Sequence, residues 1–289
     1  METSELLKKV RQIEIKTRGL SQNIFAGQYH SAFKGRGMAF SEVREYAFGD
    51  DTRDIDWNVT ARYSKPYVKV FEEERELTLM LLIDVSGSKD FGTQASTKKN
   101  MTTEIAATLA FSAMQNNDKI GVIFFSDKIE KFIPPQKGKK HILYIIRELI
   151  DFQPTNTDTN LEQVLQYLTN VLKKRSTVFL LSDYLDTHDY EHALTIANRK
   201  HDVVAIQIYD QRETEMPDVG LVKLRDAESG QEKWVDTSSK QVRNTFHAWW
   251  EKRQSEMLNA FKKSRVDSVS IRTNEDYVTA LLNLFHKRT

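Results

Sequence analysis

The sequence predicts an α/β protein, a mostly parallel sheet flanked by helices with a small β-rich lobe ahead of it. Three observations predict it. The run from Leu77 to Ile83 is apolar except for Thr78 and opens into polar Asp84-Val85-Ser86-Gly87-Ser88, the pattern of a buried central strand and its exit loop. Beyond it, short apolar runs alternate with helical patterns, which calls for parallel strands joined by helices. Before it, residues 13–76 carry Gly19, Gly27, Gly35, Gly37 and Gly49, many charges, and alternating stretches such as Tyr67-Val68-Lys69-Val70-Phe71 that read as half-exposed strands.

Taken in order, residues 2–12 form a short amphipathic helix with Leu6, Leu7 and Val10 on one stripe. The lobe follows. Strands are then expected at 77–83, 119–125, 129–133, 176–181, 202–208 and 267–271, with helices near 96–116, 138–150, 160–174 and 188–199. The clearest helix is 160–174, where Leu161, Val164, Leu165, Leu168 and Leu172 share a face. Residues 219–236 read as a hairpin turning at Glu228-Ser229-Gly230. A long charged helix covers about 238–264, and a closing helix buries Val278, Leu281, Leu282 and Phe285. The boundary is placed at residue 76: helix and lobe in 1–76, the main domain in 77–289, with the hairpin and long helix as an insertion near 219–264.

Composition excludes several classes. The 289 residues carry 42 Lys+Arg against 41 Asp+Glu, a net charge of +1, so no basic excess points to nucleic acid. There is no Cys, which removes disulfides, thiol nucleophiles and thiolate metal sites. The N-terminus lacks an apolar signal core, and no apolar run approaches the roughly 20 residues of a membrane helix. The expectation is a soluble, cytoplasmic protein. Neither a Gly-x-x-x-x-Gly-Lys nor a Gly-x-Gly-x-x-Gly string occurs, so nucleotide binding through those loops is not expected.

The loop after the first strand offers a carboxylate and two hydroxyls at alternate positions: Asp84, Ser86 and Ser88. All are oxygen donors, which suits a hard cation such as Mg²⁺. Ligand sites in open parallel sheets lie just beyond the carboxyl ends of strands. Two further donors suit that edge: Thr159 just before the strongest helix, and Asp183 after the apolar run Thr177 to Ser182. Thr159-Asn160-Leu161-Glu162 also reads as a capping box with Thr159 at the N-cap, a role compatible with facing an ion. Asp183 can equally cap the next turn.

This constellation resembles the metal-ion-dependent adhesion site of von Willebrand factor A domains, Asp-x-Ser-x-Ser followed by a distant Thr and a distant Asp. The resemblance covers about residues 77–210 and assigns metal roles to Asp84, Ser86, Ser88, Thr159 and Asp183. Upstream, Gly35-Arg36-Gly37-Met38-Ala39-Phe40-Ser41-Glu42-Val43-Arg44-Glu45-Tyr46, then Gly49-Asp50-Asp51-Thr52-Arg53-Asp54-Ile55-Asp56-Trp57, Ala61-Arg62 and Phe71-Glu72-Glu73-Glu74-Arg75-Glu76 resemble the bacterial domain-of-unknown-function family 58. Its members join such a segment to a von Willebrand A-like domain. Two departures stand out. Pro154-Thr155-Asn156-Thr157-Asp158-Thr159 lacks the usual Gly, which leaves Thr157 as a rival to Thr159; and Lys89 follows the second Ser, where an apolar residue is common.

Other patterns admit a plain reading beside a sharp one. Arg44, Asp50, Asp51, Arg53, Asp54, Asp56 and Arg62 read as a paired network holding the lobe on the sheet, with Trp57 as a core anchor, or as an interaction surface. The Glu72 to Glu76 run reads as a solvated face. His188-Asp189-Tyr190-Glu191-His192 matches an inverted zinc-protease string, or is simply an exposed first helical turn. At least one of Trp249 and Trp250 should pack on the hairpin or sheet.

The function expected is a metal-dependent protein-interaction module and not an enzyme. Mg²⁺, or Mn²⁺ or Ca²⁺, would be completed by a partner's Asp or Glu. The family resemblance implies an adaptor working with a MoxR-type AAA+ ATPase in a chaperone-like or assembly role. The alternatives are a Mg²⁺-dependent hydrolase or phosphotransferase, for which Ser86 stands where an acid/base Asp is needed, and a scaffold whose metal site is vestigial.

Overall fold

The computed structural model describes residues 10–14, 29, 32, 37–74, 77–87, 97–225 and 232–288. The chain divides into two compact units, residues 33–77 and residues 1–32 with 78–289.

In the smaller unit β1 (Gly37–Glu45) pairs antiparallel with β2 (Tyr67–Glu74), with an irregularity between Phe40 and Glu42. A 3-10 turn (Thr52–Asp54) and α1 (Trp57–Tyr63) connect them. The acidic string that precedes Trp57 builds this connection. Asp50 accepts two 2.7 Å bonds from the Arg44 guanidinium and one from Ala47 N–H at 2.8 Å. Asp51 caps the 3-10 turn through Arg53 N–H. Asp56 caps α1 through Asn58 and Val59 N–H. Arg44 holds the Asp50 carboxyl below its ordinary range, with Ala47 N–H contributing. The Arg44–Asp50 pair is therefore internal to this unit. Trp57 is not a core anchor: it begins α1 with its ring outward and is 70% exposed. The Glu72 to Glu76 side chains lie outside the described residues.

The larger unit is built on a six-stranded sheet in the order β10-β7-β6-β3-β4-β5. Its strands are β3 (Thr78–Asp84), β4 (Lys119–Phe125), β5 (Ile129–Gln136), β6 (Thr177–Ser182), β7 (Asp202–Tyr209) and β10 (Asp267–Arg272). All are parallel except β5, which runs antiparallel along the β4 edge. The chain steps from β3 to β4 on one side and later places β6 on the other, so β3 is the switch point of the sheet. Both faces are covered, which is why β3, β4 and β6 read as continuous apolar runs. Strand period 2 splits the core. Met80, Leu82, Val178, Leu180 and Ala205 face α4 (Leu161–Val171), α5 (Glu191–Lys200) and α7 (Lys240–Ser264). On the other face Phe179 meets Phe285 of α8 (Tyr277–His286) at 6.3 Å, and Phe124 stacks on Phe152 just after α3 (Lys139–Asp151).

Helix α2 (Lys98–Gln115) is buried almost all round, unlike an ordinary amphipathic surface helix. Its hydroxyls meet that burial within the helix: Thr103, Thr108 and Ser112 donate to the carbonyls of Lys99, Glu104 and Thr108 at 2.7–2.9 Å. Strand β5 continues past its expected end through Pro134 and Pro135 because it lies on the edge, where missing donors are tolerated. Opposite these prolines the β4–β5 register shifts at Gly121. A Cβ there would meet Ile133 O at 2.7 Å and Pro135 N at 2.9 Å.

A four-residue helix, α6 (Gln211–Thr214), follows β7 behind an Asp210–Glu213 capping box that the sequence reading passed over. The hairpin forms from β8 (Leu221–Arg225) and β9 (Glu232–Asp236); its turn at 228–230 lies outside the described residues. Trp250 packs on Tyr209 of the sheet at 5.6 Å, as one of the tryptophan pair should, while Trp249 stays half exposed against Phe246. In α8 the fully buried positions are Tyr277, Leu281, Leu284 and Phe285; Val278 and Leu282 sit at the margin of that stripe. Of the helix expected at 2–12, residues 10–14 are described, helical through Ile13 and beyond, with Val10 buried.

Candidate metal centre

The parallel strands β3 and β6 lie side by side, with Ile83 opposite Leu181. Their carboxyl ends therefore present Asp84 beside Ser182, and Asp183 one residue on. Asp84 is 1% exposed. Its Oδ1 accepts from Ser86 N–H at 2.9 Å and its Oδ2 from the Ser182 hydroxyl at 2.6 Å. The loop is tied on both flanks: Val85 N–H donates to Phe125 O of β4 (2.8 Å), and Gly87 N–H to Thr157 O (2.9 Å). This second bond brings the segment before α4 onto the Asp84 loop, and Thr159 with it.

Thr159 is not the N-cap of α4. Asn160 takes that role, accepting from Gln163 N–H at 2.9 Å. Glu162 turns along the helix to Gln166 instead of closing a box. Two neighbouring capping residues compete for one position, and the amide, one residue nearer the helix, wins it. Thr159 is 5% exposed, and its hydroxyl is buried with no hydrogen-bond partner among the described residues. Thr157 is exposed. Ser88 and Lys89 lie outside the described residues.

Asp183 is 6% exposed. Its Oδ1 accepts from Leu185 N–H at 3.2 Å, and its Oδ2 from the ammonium of Lys98 at 2.8 Å. Lys98 also donates to Glu213 Oε1 at 2.5 Å, and Glu213 Oε2 is held by Asp210 N–H at 2.8 Å. Burial opposes the Lys98 charge, but Asp183 and Glu213 outweigh it and raise its pKa above the ordinary value. Glu213 is pushed up by burial, against the pull of Lys98. The next residue, Tyr184, holds left-handed backbone (φ 59°). That conformation is costly for a bulky residue. It is pinned by Tyr184 N–H to Ser182 Oγ (3.0 Å) and by its phenol to Leu180 O (2.8 Å).

Asp186 completes the edge. Its Oδ2 accepts from Leu161 N–H at 2.7 Å, at the start of α4, and its Oδ1 from His188 N–H (2.8 Å) and lies 2.7 Å from the His188 ring. Asp186 raises the His188 pKa. Helix α5 begins at Glu191, so His188 and His192 do not share a helical face and the zinc-protease geometry is absent.

The donor set fits a hard cation. Asp84 and Asp183 bring carboxylates, Ser86 and Thr159 bring hydroxyls, and all are oxygens. A buried hydroxyl left unpaired costs about 1–3 kcal/mol, so the Thr159 Oγ1 calls for an ion or a water. Among the described residues no group of three or more His, Asp or Glu forms a metal cage, so an ion here would depend on the hydroxyls. Beside the loop a cavity of about 420 Å³ runs toward α2 and α3, lined at its polar end by Ser86, Thr102, Thr103 and Thr157. Ser182, Lys98, Glu213 and Asp186 were not found in the sequence reading. Ser182 carried a signal, as the polar residue closing an apolar strand one position before Asp183.

A family profile described as "Protein of unknown function DUF58" matches residues 42–256. Over 288 residues the chain is 26% identical to Uncharacterized protein Rv1480 of Mycobacterium tuberculosis, covering 98% of this chain and 90% of that one. Among solved structures, conserved hypothetical protein BatB from Bacteroides thetaiotaomicron superposes with a TM-score of 0.50 at 13% identity, over 73% of this chain and 98% of that one. An aerotolerance-related membrane protein from Bacteroides fragilis superposes equally, with a TM-score of 0.50 at 12% identity and 73% and 98% coverage. These two likenesses speak to the fold alone.

Proposed function

The chain belongs to the DUF58 family, and from that premise we propose that it is a metal-dependent protein-interaction module. The buried, unpartnered hydroxyl of Thr159, brought to the Asp84 loop by the Gly87–Thr157 bond, carries the reading. Asp84, Ser86, Thr159 and Asp183 would hold Mg²⁺, or Mn²⁺ or Ca²⁺, with Ser88 as the remaining donor of the motif. When bound, the ion supplies an electrophilic open position for a partner's Asp or Glu. The residues of the chain orient and desolvate: Ser182 and Ser86 N–H fix the Asp84 carboxylate, and Tyr184 pins the turn after Asp183. What supports docking over hydrolysis is that Ser86, not a second carboxylate, follows Asp84 by two.

The partner we assign is a MoxR-type AAA+ ATPase, with the chain as adaptor in a chaperone-like or assembly role in the cytoplasm. No helix among the described residues is long and apolar enough to cross a membrane. The test is capture of the purified MoxR-type ATPase of the same genome by wild type and by Asp84→Asn, in Mg²⁺ and in EDTA. Binding lost in EDTA and in the variant is the expected result. Equal binding in all arms refutes the reading. One observation favours a second reading, an ion-free scaffold: Lys98 already places a positive charge on Asp183.

A further inference from the structure

Lys98 stands in an unfavourable place for a lysine. It opens α2, where the helix dipole disfavours a cation. Its side chain is 3% exposed. Burying an ammonium costs several kcal/mol unless it is well paired. The pairing is complete, at 2.8 Å to Asp183 and 2.5 Å to Glu213. Asp183 belongs to the candidate metal centre, while Glu213 comes from α6, just after β7, and is held in turn by Asp210, whose Oδ2 accepts from the Thr273 hydroxyl at 2.7 Å. The ammonium thus links the segments after β6 and β7 directly, and Asp210 extends the chain of bonds to Thr273 at the end of β10. It also occupies one oxygen of a carboxylate that the ion would need.

We propose that Lys98 is a tethered cation that competes with a divalent ion for Asp183 and so sets how tightly the centre loads. The inference rests on the metal-centre reading but is separable from it. Two positive groups on one carboxylate repel each other, and that repulsion lowers ion affinity for as long as the ammonium stays. Without an ion, Lys98 neutralises Asp183 and keeps the strand ends packed. With an ion, the ammonium either shifts toward Glu213 or weakens the complex.

Mg²⁺ titrations by calorimetry, with thermal melts at 0–20 mM Mg²⁺ and constant ionic strength, test it on four proteins: wild type, Lys98→Arg, Lys98→Met and Lys98→Met/Glu213→Gln. The double variant removes one charge of each sign, so it covers failure of the single variant to fold. The proposal expects affinity about tenfold or more tighter in the Met-containing variants, a melting temperature that rises with Mg²⁺, and wild-type behaviour in Lys98→Arg. Wild-type binding that is unchanged or weakened in the Met variants overturns the Lys98 inference and leaves the metal centre standing. Equal tightening in Lys98→Arg also overturns it, since the charge is then irrelevant. Binding seen only in the Met variants supports the inference and sinks metal dependence of the wild type. No binding in any protein removes both.

Discussion

His201 makes the stability of this protein acid-sensitive by an amount that can be worked out. It follows α5, where its N–H closes the helix on Ala197 O at 2.8 Å. Its ring is fully buried, and neither ring nitrogen has a hydrogen-bond partner among the described residues. Burial, helped by Lys200 and Arg175, pushes its pKa down from the ordinary 6.5 to about 4. The neutral ring is the one that fits. As pH falls below 6.5 the unfolded chain takes up a proton that the folded chain refuses until about pH 4, so stability falls across that window and levels off beneath it. At about 1.4 kcal/mol per pH unit, the loss is about 3 kcal/mol. Urea unfolding of wild type and His201→Leu between pH 7.5 and 4 measures it. The wild type should lose about 3 kcal/mol more than the variant, since the carboxylate contributions common to both cancel. Parallel pH profiles, or an imidazole NMR titration with its midpoint near 6.5, would refute the reasoning.

Two other substitutions give sharp outcomes. Thr159→Val replaces an unpaired hydroxyl with a methyl; stability in EDTA should hold or rise by up to about 1–2 kcal/mol, and any thermal stabilisation by Mg²⁺ should vanish, both read from melts with and without the ion. Gly121→Ala drives a Cβ to within 2.7 Å of Ile133 O; the overpacking should cost about 1–3 kcal/mol in chemical denaturation, and a neutral result would mean that β5 gives way freely.

Much of the architecture was legible because burial writes itself into sequence. Strands β3, β4 and β6 are covered on both faces, so they read as apolar runs, and Asp84, closing the first, and Asp183, just after the last, stand out as polar residues. The hidden parts are those fixed by distance. Lys98 meets Asp183 across 85 residues and Glu213 across 115, and neither pairing leaves a local pattern. Lys98 even contradicts one, since a lysine at a helix start suggests a solvent-facing side chain. At Thr159 the local signal was real but degenerate: Thr159 and Asn160 can both cap, and only the placement of α4 decides. Trp57 faces outward because a small unit with a two-stranded sheet has too little interior for an indole at the start of α1, which no local pattern reveals.

The prolines of β5 bear on how this protein can meet others. An outermost strand normally offers a row of amide donors on which another chain can lay itself down as the next strand. At Pro134 and Pro135 two consecutive donors are missing, and the register shift at Gly121 distorts the ladder behind them. Strand addition is disfavoured at that end of β5, whether by a visiting peptide or by a second copy in an aggregate. The other outermost strand, β10, carries no proline, so the two edges of this sheet differ in what they offer a neighbouring chain.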